Sequence, residues 1–87
     1  MKMILFTSET CPSCPAAKKT VASVKKTIDE KHVEYMELNA FKEGLDMAQR
    51  FSVSSLPTLI FLKDGMIESS RMVGYLTPTR ILQALEG

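Results

Sequence analysis

The two cysteines are the residues of this sequence whose spacing is typical of redox chemistry. Cys11 and Cys14 are its only cysteines, and they are separated by Pro12 and Ser13 directly after a short apolar run. Two thiols at this spacing can close a disulfide across one helical turn if the first lies at the N-cap. Proline fits the first helical position, because its fixed φ suits the helix and its missing N–H is not needed there. We therefore expect Cys11 to cap a helix whose first residue is Pro12.

Cys11 is the candidate nucleophile of the pair. At a helix N-cap its sulfur would meet unpaired backbone N–H groups and the positive end of the helix dipole, which both favour thiolate over thiol. Such surroundings can lower a cysteine pKa from about 8.5 into the range of roughly 3.5 to 7.5. Cys14, one turn inside the helix, is then the candidate resolving thiol.

Other uses of a Cys-x-x-Cys spacing are a zinc or iron–sulfur site and two cysteines that merely pack. A structural zinc site normally has four Cys or His ligands, whereas this chain has two cysteines and one histidine, His32. On an ideal helix the 18 residues from Cys14 to His32 span about 27 Å. A metal site within one chain is therefore disfavoured, and one shared between subunits stays open.

Length and composition indicate one globular domain. The chain has 87 residues, of which 45% are hydrophobic and 24% charged, so we predict a single domain over residues 1–87. The net charge of +1 gives no reason to expect binding to nucleic acid or to a membrane surface. No apolar run approaches the roughly 20 residues that span a bilayer.

The N-terminal residues are interpreted as a strand. Residues 1–6 contain one lysine and only a very short apolar stretch, without the longer apolar region and small-residue cleavage site of a signal peptide. We therefore expect a cytoplasmic, reducing compartment, in which a cysteine pair is more often catalytic than a structural disulfide.

Hydrophobic patterns predict the element order β-α-β-α-β-β-α. Strands are predicted at residues 3–7, 33–38, 57–63 and 66–73 from apolar or alternating runs. The second of these is expected at a sheet edge, with Glu34 and Glu37 toward water. Asp64 and Gly65 are the strongest short hairpin signal in the chain, so the last two strands should be antiparallel neighbours. The long helix between the first two strands predicts a right-handed βαβ unit.

Three helices are predicted from apolar residues three and four positions apart. The first covers residues 12–31, the second covers residues 41–51, and the third follows Thr77 as N-cap with Pro78 at its first position. Their expected buried residues are Cys14, Ala17, Val21, Val24 and Ile28 in the first, Phe41, Leu45, Ala48 and Phe51 in the second, and Ile81, Leu82 and Leu85 in the third.

Pro15 is unusual in this scheme. It would occupy the fourth helical position, where its missing N–H deletes the first intrahelical hydrogen bond and its ring disfavours α geometry at Cys14. We expect a distorted first turn rather than a broken helix.

With Cys11-Pro12-Ser13-Cys14 opening a helix and Leu56-Pro57-Thr58 opening a strand, the sequence resembles the thioredoxin superfamily over essentially its whole length. Residues 51–58 are similar to the thioredoxin pattern aromatic-Gly-Ile/Val-x-x-Ile/Val-Pro-Thr, and Gly74 matches a glycine near that family's site. The short length is similar to glutaredoxins and to glutaredoxin-like small thioredoxins. The implied fold is a thioredoxin-like α/β fold with a four-stranded mixed sheet flanked by three helices.

The resemblance also implies roles for individual residues. Pro57 would be cis and lie against Cys11, and the backbone of Leu56 would be free to pair with an extended substrate strand. The residues assigned in this way are the catalytic Cys11 and Cys14, the motif residues Thr10, Pro12 and Ser13, and the substrate-binding Leu56, Pro57 and Gly74.

The sequence departs from the family patterns at four places. Thr10 stands where thioredoxins have a tryptophan, and Leu5 stands where they have a buried acid, six residues before the first cysteine. Ser13 replaces the glutaredoxin tyrosine between the cysteines. Residues 73–77 have one glycine and no acid, where glutaredoxins use Gly-Gly-x-x-Asp to help hold glutathione.

The sequence therefore predicts a monomeric thiol–disulfide oxidoreductase that reduces protein disulfides through Cys11 and Cys14. Its redox group would be the Cys11–Cys14 disulfide, with no bound cofactor and no metal. A reductase, such as thioredoxin reductase with NADPH, or glutathione would recycle it. The alternatives are a glutathione-dependent glutaredoxin, a metal or iron–sulfur carrier, and a non-catalytic binding protein.

Overall fold

Four strands form one mixed sheet in the order β2-β1-β3-β4. The computed structural model describes residues 1–86. The strands are β1 (Lys2–Thr7), β2 (Glu34–Asn39), β3 (Thr58–Lys63) and β4 (Ile67–Val73). The helices are α1 (Cys14–Ser23), α2 (Lys25–Glu30), α3 (Leu45–Arg50) and α4 (Pro78–Glu86). The predicted strands, their order along the chain and the mixed sheet are confirmed.

The two central strands carry the continuous apolar runs of the sequence. β1 pairs with β2 in parallel and with β3 antiparallel, and residues 3–7 and 58–62 are all buried. A strand that is covered on both faces needs apolar residues throughout, which explains these runs. The edge strand β2 has no fully buried residue, and its Glu34 and Glu37 are exposed as predicted.

Side chains of the central strands divide the core into two clusters. Met3 and Leu5 pack with residues of α1, α2 and α4 on one face of the sheet. Ile4 and Phe6 pack with Ala48 of α3 on the other face. The alternation follows from the period of two along a strand, and it places α1 and α3 on opposite sides of the sheet.

The β3–β4 hairpin turns at the predicted residues. Asp64 and Gly65 have φ values of 45° and 88°, and positive φ at two consecutive turn residues is the backbone geometry that matches the twist of paired strands. β4 then runs antiparallel to β3 and ends at Val73, opposite Thr58. Its end therefore lies beside the start of β3.

The first predicted helix is two helices, so the chain has four within residues 1–86 where three were predicted. The break falls at Val24, whose N–H donates to the carbonyl of Val21 at 3.1 Å. Such a bond from residue i to i−3 tightens the last turn of a helix. Val24 is nevertheless buried, between Val21 and Ile28 in the same cluster. The apolar periodicity continues through the break. The sequence pattern therefore did not reveal that the helix is divided.

The second helix is shorter than predicted because Asn39 holds a turn in front of it. The Asn39 carbonyl accepts hydrogen bonds from the N–H groups of Lys42 (3.1 Å) and Gly44 (2.8 Å), and its side-chain Oδ1 accepts from the N–H of Phe41 (2.9 Å). Asparagine side chains compete with helix formation in this way. Phe41 and Leu45, which were expected on the buried face, are 68% and 41% exposed.

The last helix begins as predicted. The Thr77 hydroxyl accepts a hydrogen bond from the N–H of Arg80 at 3.2 Å, which satisfies one of the unpaired donors of the first turn. Pro78 is its first residue, and Ile81 and Leu85 are buried. Among residues 1–86, no helix has both the length and the apolar character that crossing a membrane requires.

Candidate active site

The helix behind the cysteine pair begins later than predicted. Its first residue is Cys14, its N-cap is Ser13, and Pro15 lies in its first turn. The expectation that Cys11 is the N-cap with Pro12 as the first helical residue is therefore wrong, as is the placement of Pro15 at the fourth position. A proline at either place would have suited a helix start, and Pro15 is the one that occupies the first turn.

Residues 11–13 form a turn that leads into α1. The N–H of Cys14 donates to the carbonyl of Cys11, and the N–H of Cys11 donates to the carbonyl of Ser8, both at 3.4 Å. This turn connects the C-terminal end of β1 to the helix. The cysteine pair consequently lies at the edge of the sheet where the parallel strands β1 and β2 end.

Cys11 and Cys14 are joined by a disulfide, with their Cα atoms 5.4 Å apart. Cys14 is only 2% exposed and belongs to the buried side of α1, whereas Cys11 is partly exposed. The neighbouring Pro12 and Ser13 are exposed, and the Ser13 hydroxyl lies 4.0 Å from the Cys11 sulfur. Cys11 is therefore the more exposed residue of the pair.

The peptide bond between Leu56 and Pro57 is cis, as the resemblance implies. The carbonyl of Pro57 accepts a hydrogen bond from the N–H of Gly74 at 2.8 Å, so two of the expected substrate-binding residues are held together. Gly74 has φ 80°, a conformation that side chains with a Cβ rarely adopt. Thr58 is buried, and its hydroxyl donates to the carbonyl of Ser55 at 2.6 Å. Contact between Pro57 and Cys11 stays a prediction.

Arg71 anchors the start of the loop that contains Pro57. Its Nη2 donates to the Phe51 carbonyl at 2.6 Å, and its Nε and Nη2 donate to the two carboxylate oxygens of Glu68, also at 2.6 Å. The hydrogen bonds from Arg71 lower the pKa of Glu68, against a smaller opposing effect of burial. The loop is thus fixed to β4 at one end and to Gly74 at the other. No spacing in the sequence identified Arg71.

Leu5 stands where thioredoxins have a buried acid, and the residue paired with it on the neighbouring strand is acidic. Leu5 is fully buried and in register with Glu37 of β2. The Glu37 carboxylate accepts a hydrogen bond from the Tyr35 hydroxyl at 3.0 Å and lies 3.9 Å from the Lys18 amine. Burial raises the pKa of Tyr35, and the hydrogen bond and charge of Glu37 raise it further.

Two grooves are lined by residues that neighbour the cysteines in the sequence, Ser13 in one and Thr10 in the other. The first, of about 260 Å³, lies between α1 and the segment after β4 and is lined by Ser13, Ala16, Ala17, Thr20, Gly74, Tyr75 and Leu76. The second, of about 180 Å³, is lined by Ser8, Glu9, Thr10, Asn39, Phe41 and Lys42. Each contains one exposed aromatic side chain, since Tyr75 is 81% and Phe41 is 68% exposed. Sequence reasoning missed both, and placed Phe41 in the core.

The described residues form no group of three or more His, Cys, Asp and Glu side chains that could hold a metal ion. His32, which the sequence offered as a further ligand, is exposed in the turn between α2 and β2 and has φ 56°.

Comparison with known proteins is consistent with this geometry. A family model described as a thioredoxin-like domain matches residues 1–87. Thioredoxin of Methanocaldococcus jannaschii is 31% identical over an alignment of 87 residues that covers 99% of this chain and 93% of that protein.

Solved thioredoxin structures have the same fold. Thioredoxin 1 of Thermosipho africanus superimposes with a TM-score of 0.79 at 20% identity, covering 99% of this chain and 91% of that one. Fasciola hepatica thioredoxin gives a TM-score of 0.81 at 26% identity, covering 98% and 77%. The thioredoxin-like α/β fold expected from the resemblance is confirmed, with four helices rather than three. The chain therefore belongs to the thioredoxin-like domain family and is a thiol–disulfide oxidoreductase.

Proposed function

We propose that this protein reduces disulfide bonds in other proteins, with Cys11 as the nucleophile and Cys14 as the resolving thiol. The observation that carries the assignment is the difference in exposure between the two sulfur-bearing residues. Cys11 is partly exposed and Cys14 is 2% exposed. Thiol–disulfide exchange requires access to the attacking sulfur, so an incoming disulfide meets Cys11 first.

The reaction proceeds in two exchanges. In the reduced protein, the Cys11 thiolate attacks one sulfur of the substrate disulfide, whose S–S bond breaks and releases the other sulfur as a thiolate. Cys14 then loses its proton and attacks the Cys11 sulfur of the mixed disulfide. The second substrate sulfur leaves as a thiolate, the Cys11–Cys14 disulfide forms, and two electrons have passed to the substrate.

The residues around the cysteines support binding of an extended substrate segment. Thr10, Pro12 and Ser13 surround Cys11 on the exposed surface. The hydrogen bond between Pro57 and Gly74 forms a fixed backbone edge, to which the backbone of Leu56 adds a position for pairing. Addition of an extended peptide to such an edge is a common mode of recognition.

Recycling requires an external electron donor, because each cycle leaves the disulfide oxidised. We propose a thioredoxin reductase with NADPH as the donor, and a monomer acting in a reducing compartment such as the cytoplasm. Glutathione with its own reductase is the alternative donor. The two donors are distinguished by what each requires of Cys14.

The test compares the wild-type protein with Cys11→Ser and Cys14→Ser variants on a protein disulfide. We expect Cys11→Ser to abolish turnover, because the accessible thiolate is removed. Cys14→Ser should accumulate a mixed disulfide between Cys11 and the substrate, detectable as added mass that a reductant removes.

Each donor system is then supplied in turn. Turnover of the wild type with thioredoxin reductase and NADPH, and its loss in Cys14→Ser, would support the proposal. Retention of full turnover by Cys14→Ser with glutathione would contradict it and indicate a glutathione-dependent enzyme. Activity that survives in Cys11→Ser would overturn the assignment of the nucleophile.

A further inference from the structure

We propose that Arg71 of β4 is a positioning residue for disulfide exchange. By fixing the loop formed by residues 51–57, it sets the rate at which Cys11 reacts with an extended protein segment. The inference rests on the proposed function and adds to it a residue outside the cysteine motif and the cis-proline turn. The loop begins at Phe51, the C-cap of α3, and ends at the cis-proline Pro57.

A β-bulge in β4 puts Arg71 and Glu68 on the same face of the sheet. Residues three apart on a regular strand point to opposite faces, but the pairing of β4 with β3 shifts register between Phe61 and Leu62. Arg71 is consequently opposite Ile60, and Glu68 is opposite Leu62. Both of these β3 residues belong to the core cluster on the α3 side. Because directly paired residues share a face, the arginine and the glutamate lie on that side too.

The extra residue of the bulge is Ser69, which the pairing of β4 with β3 passes over. Its hydroxyl donates a hydrogen bond to the Phe61 carbonyl at 3.2 Å, which holds the bulge against β3. Bulges are often found next to active sites, where they re-aim a side chain. This one brings Glu68 to the face on which Arg71 lies.

The Arg71 guanidinium connects this pair to the loop. Its Nε and Nη2 donate to the two carboxylate oxygens of Glu68, and Nη2 also donates to the Phe51 carbonyl, all at 2.6 Å. A guanidinium carries its donors in a rigid plane, so a bidentate partner fixes the orientation of the whole group. Both side chains are only 29% exposed. Glu68 therefore orients Arg71, and Arg71 holds the start of the loop.

Hydrogen bonds at both ends connect the loop to β4 and to the residue that follows it. Arg71 binds Phe51 at the start, and the N–H of Gly74 donates to the Pro57 carbonyl at 2.8 Å at the end. Between these ends, Leu56 is partly buried and packs against the core cluster on the α3 side. The position of the Leu56 backbone therefore depends on the arginine.

The position of this backbone matters for one class of substrate. An extended segment that pairs with Leu56 reaches Cys11 in the right orientation only if the loop is in place, whereas a small disulfide has no backbone to pair. Loss of Arg71 should consequently slow the reaction with a peptide disulfide and leave that with a small disulfide unchanged. A general loss of stability would not separate the two substrates in this way.

The experiment measures how fast the reduced protein reacts with two disulfides in a single turnover, without any recycling enzyme. One is a pair of identical extended peptides joined by a disulfide, and the other is bis(2-hydroxyethyl) disulfide. The variants are Arg71→Met, Glu68→Gln and the double variant. The matched control is Ile28→Val, which shortens a fully buried side chain in the core cluster on the other face of the sheet. It lowers stability without touching the loop.

We expect Arg71→Met to lower the second-order rate constant for the peptide by roughly tenfold to a hundredfold, the effect of a small misplacement of a bound substrate. Glu68→Gln should lower it by a smaller factor, because the arginine keeps its bond to Phe51 but loses the carboxylate that orients it. The double variant should be no slower than Arg71→Met, since Glu68 acts only through Arg71. All variants should reduce bis(2-hydroxyethyl) disulfide at the wild-type rate, and Ile28→Val should match the wild type with both disulfides.

Three results would overturn the inference while leaving the proposed function standing. They are an unchanged peptide rate in Arg71→Met, an equal fall with both disulfides, and the same peptide-specific loss in Ile28→Val. If Arg71→Met does not fold, Glu68→Gln decides, and an unchanged peptide rate in that variant overturns the inference. A wild-type protein that reduces neither disulfide would instead overturn the proposed function.

Discussion

The hydroxyl of Tyr35 is held in its protonated form by its position at the sheet edge. Burial is the larger cause of its raised pKa, and donation to the negatively charged Glu37 adds to it. The Glu37 carboxylate also lies 3.9 Å from the Lys18 amine. It therefore interacts with Lys18 of α1 as well as with Tyr35 of β2. Removing the proton from Tyr35 would place a second negative charge beside Glu37.

This arrangement predicts a change in stability at alkaline pH. A pKa that is raised on folding contributes stability that is complete below the unfolded pKa of about 10 and is lost as pH rises toward the folded value. We therefore expect the free energy of unfolding of the wild type to fall between about pH 9 and pH 11 more steeply than that of Tyr35→Phe. Urea unfolding across this range measures both slopes.

The other tyrosine provides the control for this experiment. Tyr75 is 81% exposed, so Tyr75→Phe removes a phenol without removing the hydrogen bond from Tyr35 to Glu37. Its stability should follow the wild-type slope. Parallel curves for the wild type and Tyr35→Phe would contradict the role assigned to Tyr35.

Some site residues could be predicted from sequence because their types have few structural uses. Two cysteines at this spacing restrict the chemistry enough to predict that Cys11 and Cys14 form a disulfide, whereas the cis bond at Pro57 was expected only from the resemblance to the thioredoxin superfamily. Phe41 could not be predicted, since its exposure depends on hydrogen bonds to Asn39 that periodicity does not represent. Arg71 acts on a carbonyl 20 residues away, a relation that exists only in the folded chain.

At the scale of elements, the strands and the helical segments were predictable, whereas the helix ends and the division of the first helix into α1 and α2 were not. Each strand and helix has enough apolar residues to fix its period. The start of α1 depended on which of two prolines, Pro12 or Pro15, lies in the first turn, and both are compatible with a helix start. The break at Val24 preserves the buried face of the helix, so the pattern of the sequence is the same with or without it.

The turn between β2 and α3 depends on a residue without a side chain. A Cβ at Gly44 would lie 2.6 Å from the Cβ of Leu38 and 2.9 Å from the carbonyl oxygen of Asn39. The second contact involves backbone that already accepts the Gly44 N–H. Neither neighbour can rotate away, so the turn that carries Phe41 and Lys42 would have to shift.

We expect Gly44→Ala to destabilise the protein by about 1–3 kcal/mol, the usual cost of forcing extra atoms into a packed site. Thermal or urea unfolding measures the loss. The exposed α3 position Gln49 gives the control, since Gln49→Ala adds no atoms and should be nearly neutral. A Gly44→Ala variant as stable as Gln49→Ala would show that the turn yields without cost.

At the scale of the whole molecule, the disulfide links stability to the direction of the reaction. The Cys11–Cys14 bond can form in the folded and in the unfolded chain, so the stability difference between the oxidised and reduced proteins equals the difference in bond free energy between the two states. If the oxidised form is the more stable, the Cys11–Cys14 disulfide is more stable in the folded chain than in the unfolded chain. Such a protein tends to donate electrons, whereas a stabilised reduced form makes a strong oxidant.

For a protein that reduces substrate disulfides, as proposed, we therefore expect the oxidised form to be the more stable one. Closing the short loop between the two cysteines contributes about 2 kcal/mol through the entropy of the unfolded chain, which for a domain of this size corresponds to roughly 8–16 °C in melting temperature. Any stabilisation of the Cys11 thiolate in the folded protein would reduce this difference.

We expect melting in the presence and absence of a dithiol reductant to show the oxidised protein melting higher. A variant with both Cys11→Ser and Cys14→Ser should melt at one temperature under both conditions. A reduced form that melts higher than the oxidised form would contradict this expectation and favour a protein that oxidises its substrates.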